Sequence, residues 1–272
     1  MTELAVEAPD EVEANPVRRD HVGRPYIKLP DSDREVTYTR TSNFAKTLSD
    51  QEGLTKWRLR NVVRGLLAQP QLLHGGIHPD NTRMVDSIIE AAHEVAGGNN
   101  ASRWGTTLHG LAELWDMYGV DDIPAPPDLQ DALAAYKRIT ASYEVIAAEG
   151  FVVCDELKCA GSYDRILLAP DGRIVMADIK TGPDEHKRPL GVTVQCAIYA
   201  HSIHYDPRSK TRHVGPLEGI DQEEGLLIQI SRDRSADRLW PLDLKEGWRL
   251  ALKSRELRED RRLKLGPELA PF

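Results

Sequence analysis

Apolar and polar residues follow different periods in the two halves of this chain. In the front half, apolar side chains recur every three or four residues, the spacing of one face of a helix. From Phe151 onward the pattern changes to alternation between apolar and polar side chains, which is typical of strands. The chain is therefore predicted to begin mostly helical and to continue as a β-meander.

The first predicted helix follows a strand-like segment, REVTYTR, at residues 34–40. It covers GLTKWRLRNVVRGLLAQP, and Pro70 stops it because proline cannot continue a helix. Trp57 is expected in the core, as large aromatic residues at helical spacing usually are, and stacking on nucleic-acid bases is its alternative role. The apolar residues that place this helix are Leu54, Trp57, Val62, Leu66 and Leu67.

Three more helices are predicted from their boundary residues. RMVDSIIEAAHEVAGG ends at Gly97 and Gly98, and the next helix begins near Ser102 and ends at Gly119. The proline-rich DDIPAPPDL then forms a linker. Asp128 is expected to cap a fourth helix that runs to about Ala148.

The second half is predicted to alternate strands and helices. Residues 151–182 should form three strands, with Pro170, Asp171 and Gly172 closing the hairpin between the last two. The remaining elements are a helix in VTVQCAIYAHSI, a strand in GLLIQI, a short return at RLWPLDL and a terminal helix from about Lys245 to Leu265. This order predicts an α/β fold in which helices flank a mixed sheet.

Composition and charge narrow the class of protein. The 272 residues contain no run of about 18 apolar residues, so we expect a cytoplasmic protein with no membrane segment. Three cysteines without a C-x-x-C pair suit neither a disulfide framework nor a zinc finger. The net charge is −8, but five acids lie in the first fifteen residues and the remainder is −3. Any contact with nucleic acid must therefore be local.

The predicted hairpin determines which carboxylates meet. A three-residue loop would place Asp164 directly opposite Asp178 on one face of the sheet. Two like charges so close destabilise a sheet unless a divalent cation lies between them. Lys180 lies two residues beyond Asp178 and shares its face, where an ammonium group could position a metal-bound water. The alternative is two solvated acids and an exposed lysine, because D-x-K occurs often by chance.

Four runs around these residues resemble the RecB-type nuclease signature of the PD-(D/E)xK superfamily. They are G-T-T-L-H at Gly105–His109, G-S-Y-D-R-I at Gly161–Ile166, M-A-D-I-K-T-G at Met176–Gly182 and Q-C-A-I-Y-A at Gln195–Ala200. The order is that of the family, which includes phage and CRISPR-associated exonucleases, and the likeness covers about residues 100–232. It implies a restriction-endonuclease-like core.

The resemblance also implies a role for individual residues. His109, Asp164, Asp178 and the backbone carbonyl of Ile179 would coordinate Mg²⁺ or Mn²⁺, and Lys180 would orient the attacking water. Gln195 and Tyr199, one helical turn apart, match the family's Q-x-x-x-Y and would contact DNA or support the lysine. Thr181 matches the turn after the catalytic strand. No cysteine follows Cys196, so the iron–sulfur cluster of several relatives is not expected.

The chain is accordingly predicted to comprise a disordered acidic tail at 1–20, a helical region at 21–100, the nuclease core at 101–235, and a C-terminal strand and helix at 236–272. The expected function is metal-dependent cleavage of DNA, as an exonuclease of phage or bacterial recombination or repair that could work with a partner protein. The alternative is an inactive DNA-binding or assembly module, although the presence of Asp164, Asp178 and Lys180 favours the enzyme. For His109 the alternative is a core residue. Glu113 is expected at the surface, and Glu156 is equally compatible with a supporting role and with exposure.

Overall fold

A computed structural model describes residues 17–75, 77–120, 123–264 and 266. The first sixteen residues of the predicted tail lie outside this range. Residues 17–20 belong to the fold, because Val17 is buried beside Ile27 and Tyr38. No helix in the described ranges is both long enough and apolar enough to cross a membrane.

The described part of the chain begins with three short strands and five helices: β1 (Tyr26–Lys28), β2 (Glu35–Thr37), β3 (Thr39–Arg40), α1 (Thr41–Ala45), α2 (Glu52–Ala68), α3 (Thr82–Val95), α4 (Asn100–Tyr118) and α5 (Pro127–Thr140). Five strands and a helix follow: β4 (Glu144–Ala148), β5 (Phe151–Cys154), β6 (Cys159–Ser162), β7 (Arg165–Leu168), β8 (Ile174–Lys180) and α6 (Leu190–Ala200). The last elements are β9 (Ile203–Asp206), β10 (Thr211–His213), β11 (Ile220–Gln229), β12 (Arg238–Asp243) and α7 (Leu244–Asp260). Residues 21–100 thus contain strands as well as helices.

The strands form two five-stranded sheets and one small pair. The central sheet has the order β12-β11-β8-β7-β4, the second sheet has the order β10-β9-β5-β6-β3, and β1 pairs with β2. Both large sheets are mixed, since β8 and β11 run parallel in the first, β3 and β6 run parallel in the second, and the other pairs are antiparallel. The prediction of an α/β fold with mixed sheets and flanking helices is confirmed.

Helices cover both faces of the central sheet. On one face, α4 and α5 pack through Leu108 and Tyr136 onto Leu167 and Ile179. On the other face, the alternate residues of the same strands, such as Met176, pack against α6 and α7. This alternation places Asp178 and Lys180 on the α6 side of β8. The three cysteines are buried free thiols.

The hairpin between β7 and β8 has the predicted register. Arg165 pairs with Ala177, and the Ala169 amide donates to the Arg173 carbonyl at 2.8 Å across the loop. Gly172 occupies the loop with φ +88°, a conformation that glycine adopts without strain. Continuing the register by one residue sets Asp164 opposite Asp178, as the sequence indicated.

Three assignments between residues 128 and 180 are wrong. The fourth helix ends at Thr140, and residues 144–148 form strand β4 instead of its last turns, because pairing with β7 satisfies their backbone groups. Asp128 does not cap this helix; its carboxylate accepts a hydrogen bond from Trp104 Nε1 at 2.9 Å. Residues 151–180 contain four strands instead of three, since a turn before Cys159 starts a new strand in the second sheet.

Helix α2 does not bury its apolar residues in the core. Leu54, Trp57 and Leu67 are 40 to 76% exposed, whereas the buried positions are Asn61 and Gly65. A Cβ atom on Gly65 would lie 1.8 Å from the Ala92 carbonyl oxygen. Helices α2 and α3 therefore pair through close backbone contact, which only glycine permits, and the core expectation for Trp57 is wrong.

Candidate functional site

The candidate site lies at the start of β7 and the end of β8, where several elements converge. It draws His109 from α4, Glu149 from the turn after β4, Asp164 from the residue before β7, Asp178 and Lys180 from β8, and Gln195 from α6. These side chains divide into two adjacent groups with different partners.

The first group is formed by His109, Glu149 and Asp164. One potential ligand atom from each residue lies within 4.8 Å of the others, and His109 Nδ1 is 3.6 Å from Asp164 Oδ2. Two carboxylates and an imidazole form a donor set that divalent cations bind. We call this group the His–Glu–Asp triad.

A backbone contact fixes the tautomer of His109. Its Nε2 atom lies 3.0 Å from the Ile179 carbonyl oxygen, and because a carbonyl can only accept, Nε2 carries the proton. Nδ1, which faces Asp164, is then the free acceptor. Burial lowers the pKa of His109, which keeps the imidazole neutral as metal ligation requires. The Ile179 carbonyl, expected to be a ligand itself, is thus engaged in orienting the histidine.

Glu149 is the site residue that the sequence did not reveal. It has φ +53°, unusual for a residue with a side chain, and such conformations cluster at functional sites. Its amide donates to the Asp164 carbonyl at 3.1 Å, which brings the two carboxylates together. Burial and the charge of Asp164 raise the pKa of Glu149 from 4.5 to about 7.

The second group consists of Asp178, Lys180 and Gln195. Asp178 has a side chain only 2% exposed, and its carboxylate accepts hydrogen bonds from Lys180 Nζ and, at 3.0 Å, from Gln195 Nε2. Burial by itself would lower the pKa of Lys180, but the nearby carboxylates of Asp178 and Asp164 raise it. The lysine is therefore held as a cation at the edge of the triad.

The carboxylates of Asp164 and Asp178 are opposite in register but face different partners. Asp164 Oδ2 accepts from the Ile179 amide at 2.8 Å and faces the histidine, whereas Asp178 faces the lysine. Among the described residues, the group with metal-ligand spacing thus contains Glu149, whereas Asp178, the ligand predicted from the sequence, lies outside it.

Two other expected site residues, Tyr199 and Thr181, pack closely against glycines on neighbouring elements. Tyr199 is buried, and its hydroxyl oxygen lies 3.0 Å from the position of a Cβ atom on Gly161. Thr181 Oγ1 lies 2.8 Å from the position of a Cβ atom on Gly105, so α4 approaches the end of β8 closely. Glu113 lines the site cavity, and Glu156 pairs with Arg255 at 3.1 Å elsewhere on the surface.

Three adjoining cavities of about 500 Å³ each surround Lys180 and Thr181. The first contains the triad residues His109 and Glu149, the second reaches Gln195 on the α6 side, and the third extends to Arg232. The first two share Lys180, and the first and third share Thr181. Together they give an open depression that leads past the lysine on both sides.

No protein-family model matches this chain, and a search of curated proteins finds no significant match.

Proposed function

We propose that the protein is a Mg²⁺- or Mn²⁺-dependent deoxyribonuclease, acting as an exonuclease, of the RecB-like PD-(D/E)xK type. The observation that carries the proposal is the His–Glu–Asp triad beside Lys180, on the hairpin where the four resembling runs converge. An α/β fold with a mixed central sheet between helices is compatible with such a core.

The donor set fits the proposed metals. Carboxylate oxygens of Glu149 and Asp164 suit Mg²⁺ and Mn²⁺ alike, and the imidazole of His109 favours tolerance of Mn²⁺. A cation bound there would lower the pKa of a bound water and neutralise charge on the phosphate. The Asp164 charge raises the free energy of the ionised Glu149 carboxylate, and a cation between the two would reverse this effect.

The protein's own groups would orient the reactants. Lys180, a cation held by Asp178, can donate a hydrogen bond to an attacking water or to a phosphate oxygen. Gln195 holds the other oxygen of Asp178 and thereby limits the positions open to Lys180. The contact of His109 Nε2 with the Ile179 carbonyl keeps Nδ1 directed at the Asp164 carboxylate.

The depression around Lys180 supports a polymeric substrate. Cavities on both sides of the lysine could take nucleotides that flank the scissile phosphate. Their lining carries both signs of charge: the bases Lys46, Arg188 and Arg232 and the acids Asp50, Glu185 and Asp233. In a chain with net charge −8, contact with DNA would be local, at these bases and at Lys180.

Digestion of end-labelled linear, circular and single-stranded DNA with Mg²⁺ or Mn²⁺ tests the proposal. We expect nucleotide release from linear DNA, its abolition by EDTA and by Lys180→Ala, and normal release by Lys253→Ala, which changes an exposed lysine on α7. Binding of DNA without cleavage by the wild type would favour the inactive module. Full activity of Lys180→Ala would remove the lysine from the mechanism.

A further inference from the structure

A buried arginine touches all three backbone elements that carry the triad. Arg165 Nε donates to Asp116 Oδ2 at 2.6 Å, and Asp116 lies on α4 two turns after His109, on the same helix face. Arg165 Nη1 donates to the Asp164 carbonyl at 2.7 Å and lies 3.6 Å from Glu149 Oε1. One guanidinium thus contacts α4, the turn after β4, and the start of β7.

The ion pair between Arg165 and Asp116 is fully desolvated. The two side chains are 0% and 3% exposed, and Tyr136 Oη of α5 donates a further hydrogen bond to Asp116 Oδ2 at 2.6 Å. Arg165 Nη2 is buried without a hydrogen-bond partner among the described residues. The guanidinium can therefore donate to another carboxylate, and the Glu149 carboxylate lies 3.6 Å from its Nη1 atom.

We propose that Arg165 is a positioning residue for the His–Glu–Asp triad, and that Asp116 holds its charge away from Glu149 so that this carboxylate stays open to a cation. The inference rests on the proposed metal-dependent function. Loss of the Asp116 charge would leave Glu149 as the strongest partner of Arg165. The arginine would then compete with the cation, and α4 would lose the contact that holds His109 against Asp164.

The chain provides a matched control. Asp155 lies in a second Tyr–Asp–Arg group, where it accepts from Tyr38 Oη at 2.5 Å and from Arg212 Nε at 2.8 Å. That group joins the second sheet to the N-terminal strands and touches no triad residue. Asp116→Asn and Asp155→Asn therefore remove the same charge from two Tyr–Asp–Arg groups, a buried one at the site and a partly exposed one away from it.

The experiment measures Mn²⁺ binding by electron paramagnetic resonance without DNA, on variants shown to be folded by circular dichroism. We expect Asp116→Asn to weaken Mn²⁺ binding by roughly 10-fold or more, as changes to groups that orient metal ligands do, and Asp155→Asn to bind as the wild type does. Tyr136→Phe, which removes only the hydroxyl on Asp116, should weaken binding less and serves if Asp116→Asn does not fold.

The outcomes separate the two proposals. Equal Mn²⁺ affinity of wild type, Asp116→Asn and Tyr136→Phe would overturn the role of Arg165 and leave the metal site intact. Equal weakening by Asp116→Asn and Asp155→Asn would also overturn it, since a general loss of stability would then be the cause. A wild type that binds no Mn²⁺ would contradict the proposed function itself.

Discussion

Replacement of Glu149 by glutamine should stabilise the metal-free protein at high pH. The pKa of Glu149 is raised from 4.5 to about 7, because burial and the Asp164 charge disfavour its ionised form. Folding therefore binds a proton more tightly at this carboxyl group, and the free energy of unfolding falls as the pH rises from about 4.5 to 7. Above pH 7 the full penalty is present in the wild type and absent in Glu149→Gln.

The size of the effect follows from the pKa. The rise in the pKa of Glu149 corresponds to a free-energy penalty of roughly 3 kcal/mol for its ionised form, since each pKa unit is about 1.4 kcal/mol. The Glu149 side chain is 37% exposed, so solvent screening reduces this, and we expect Glu149→Gln to be about 1–2 kcal/mol more stable than wild type at pH 8. At pH 5 the difference should be well under half of that, because the folded wild type is then protonated at Glu149.

Urea unfolding in EDTA at pH 5 and pH 8 measures this difference. Glu113→Gln is the control, because it removes a carboxylate from the same cavity but keeps Glu149, so its stability should fall between pH 5 and pH 8 much as that of the wild type does. Addition of Mn²⁺ should make the wild type more stable than Glu149→Gln at pH 8, since the cation stabilises only a protein that binds it. A stability difference that is the same at both pH values, or a less stable Glu149→Gln at pH 8 in EDTA, would show that the ionised Glu149 carboxylate does not destabilise the metal-free protein.

Two further substitutions, one of them with a control, test glycine positions on which the fold depends. Gly65→Ala should destabilise the α2–α3 pair by about 1–3 kcal/mol, seen as faster amide hydrogen exchange in α2, because its Cβ would overlap the Ala92 carbonyl. Gly53→Ala, in open space on the same helix, should instead stabilise α2 by up to about 1 kcal/mol. If protection of the α2 amides from exchange falls equally in both variants, the contact between Gly65 and Ala92 is contradicted. Gly172→Ala should cost about 1 kcal/mol in thermal unfolding, because φ is +88° there, and should leave Mn²⁺ binding unchanged; loss of Mn²⁺ binding would show that the loop determines the site more directly than we infer.

The sequence predicted those features that local chemistry determines. Proline and glycine end α2 and α4 close to the expected residues, and the loop at Gly172 sets the register that brings Asp164 opposite Asp178. Both follow from the conformations that these two residue types permit or forbid. Helical spacing predicts only that Gln195 and Tyr199 share a helix face; the expectation that Gln195 lies beside the site rests on the resemblance, and its Nε2 donates to Asp178 at 3.0 Å.

Features that depend on tertiary contacts were not predictable in the same way. Residues 144–148 become a strand only because β7 pairs with them, and α2 leaves its apolar residues exposed because Gly65 packs against α3. Glu149 carries no periodic signal, since its place in the triad comes from a left-handed turn and a hydrogen bond to Asp164. A glutamate followed by glycine at a strand end is the only local indication.

The position of a bound cation is the central question, and anomalous diffraction from crystals grown with Mn²⁺ answers it most directly. The proposed metal site predicts an anomalous peak in contact with His109 Nδ1 and with carboxylate oxygens of Glu149 and Asp164, beside the Lys180 ammonium group. A peak held by Asp178 without Glu149, or the absence of any peak at the triad, would contradict it.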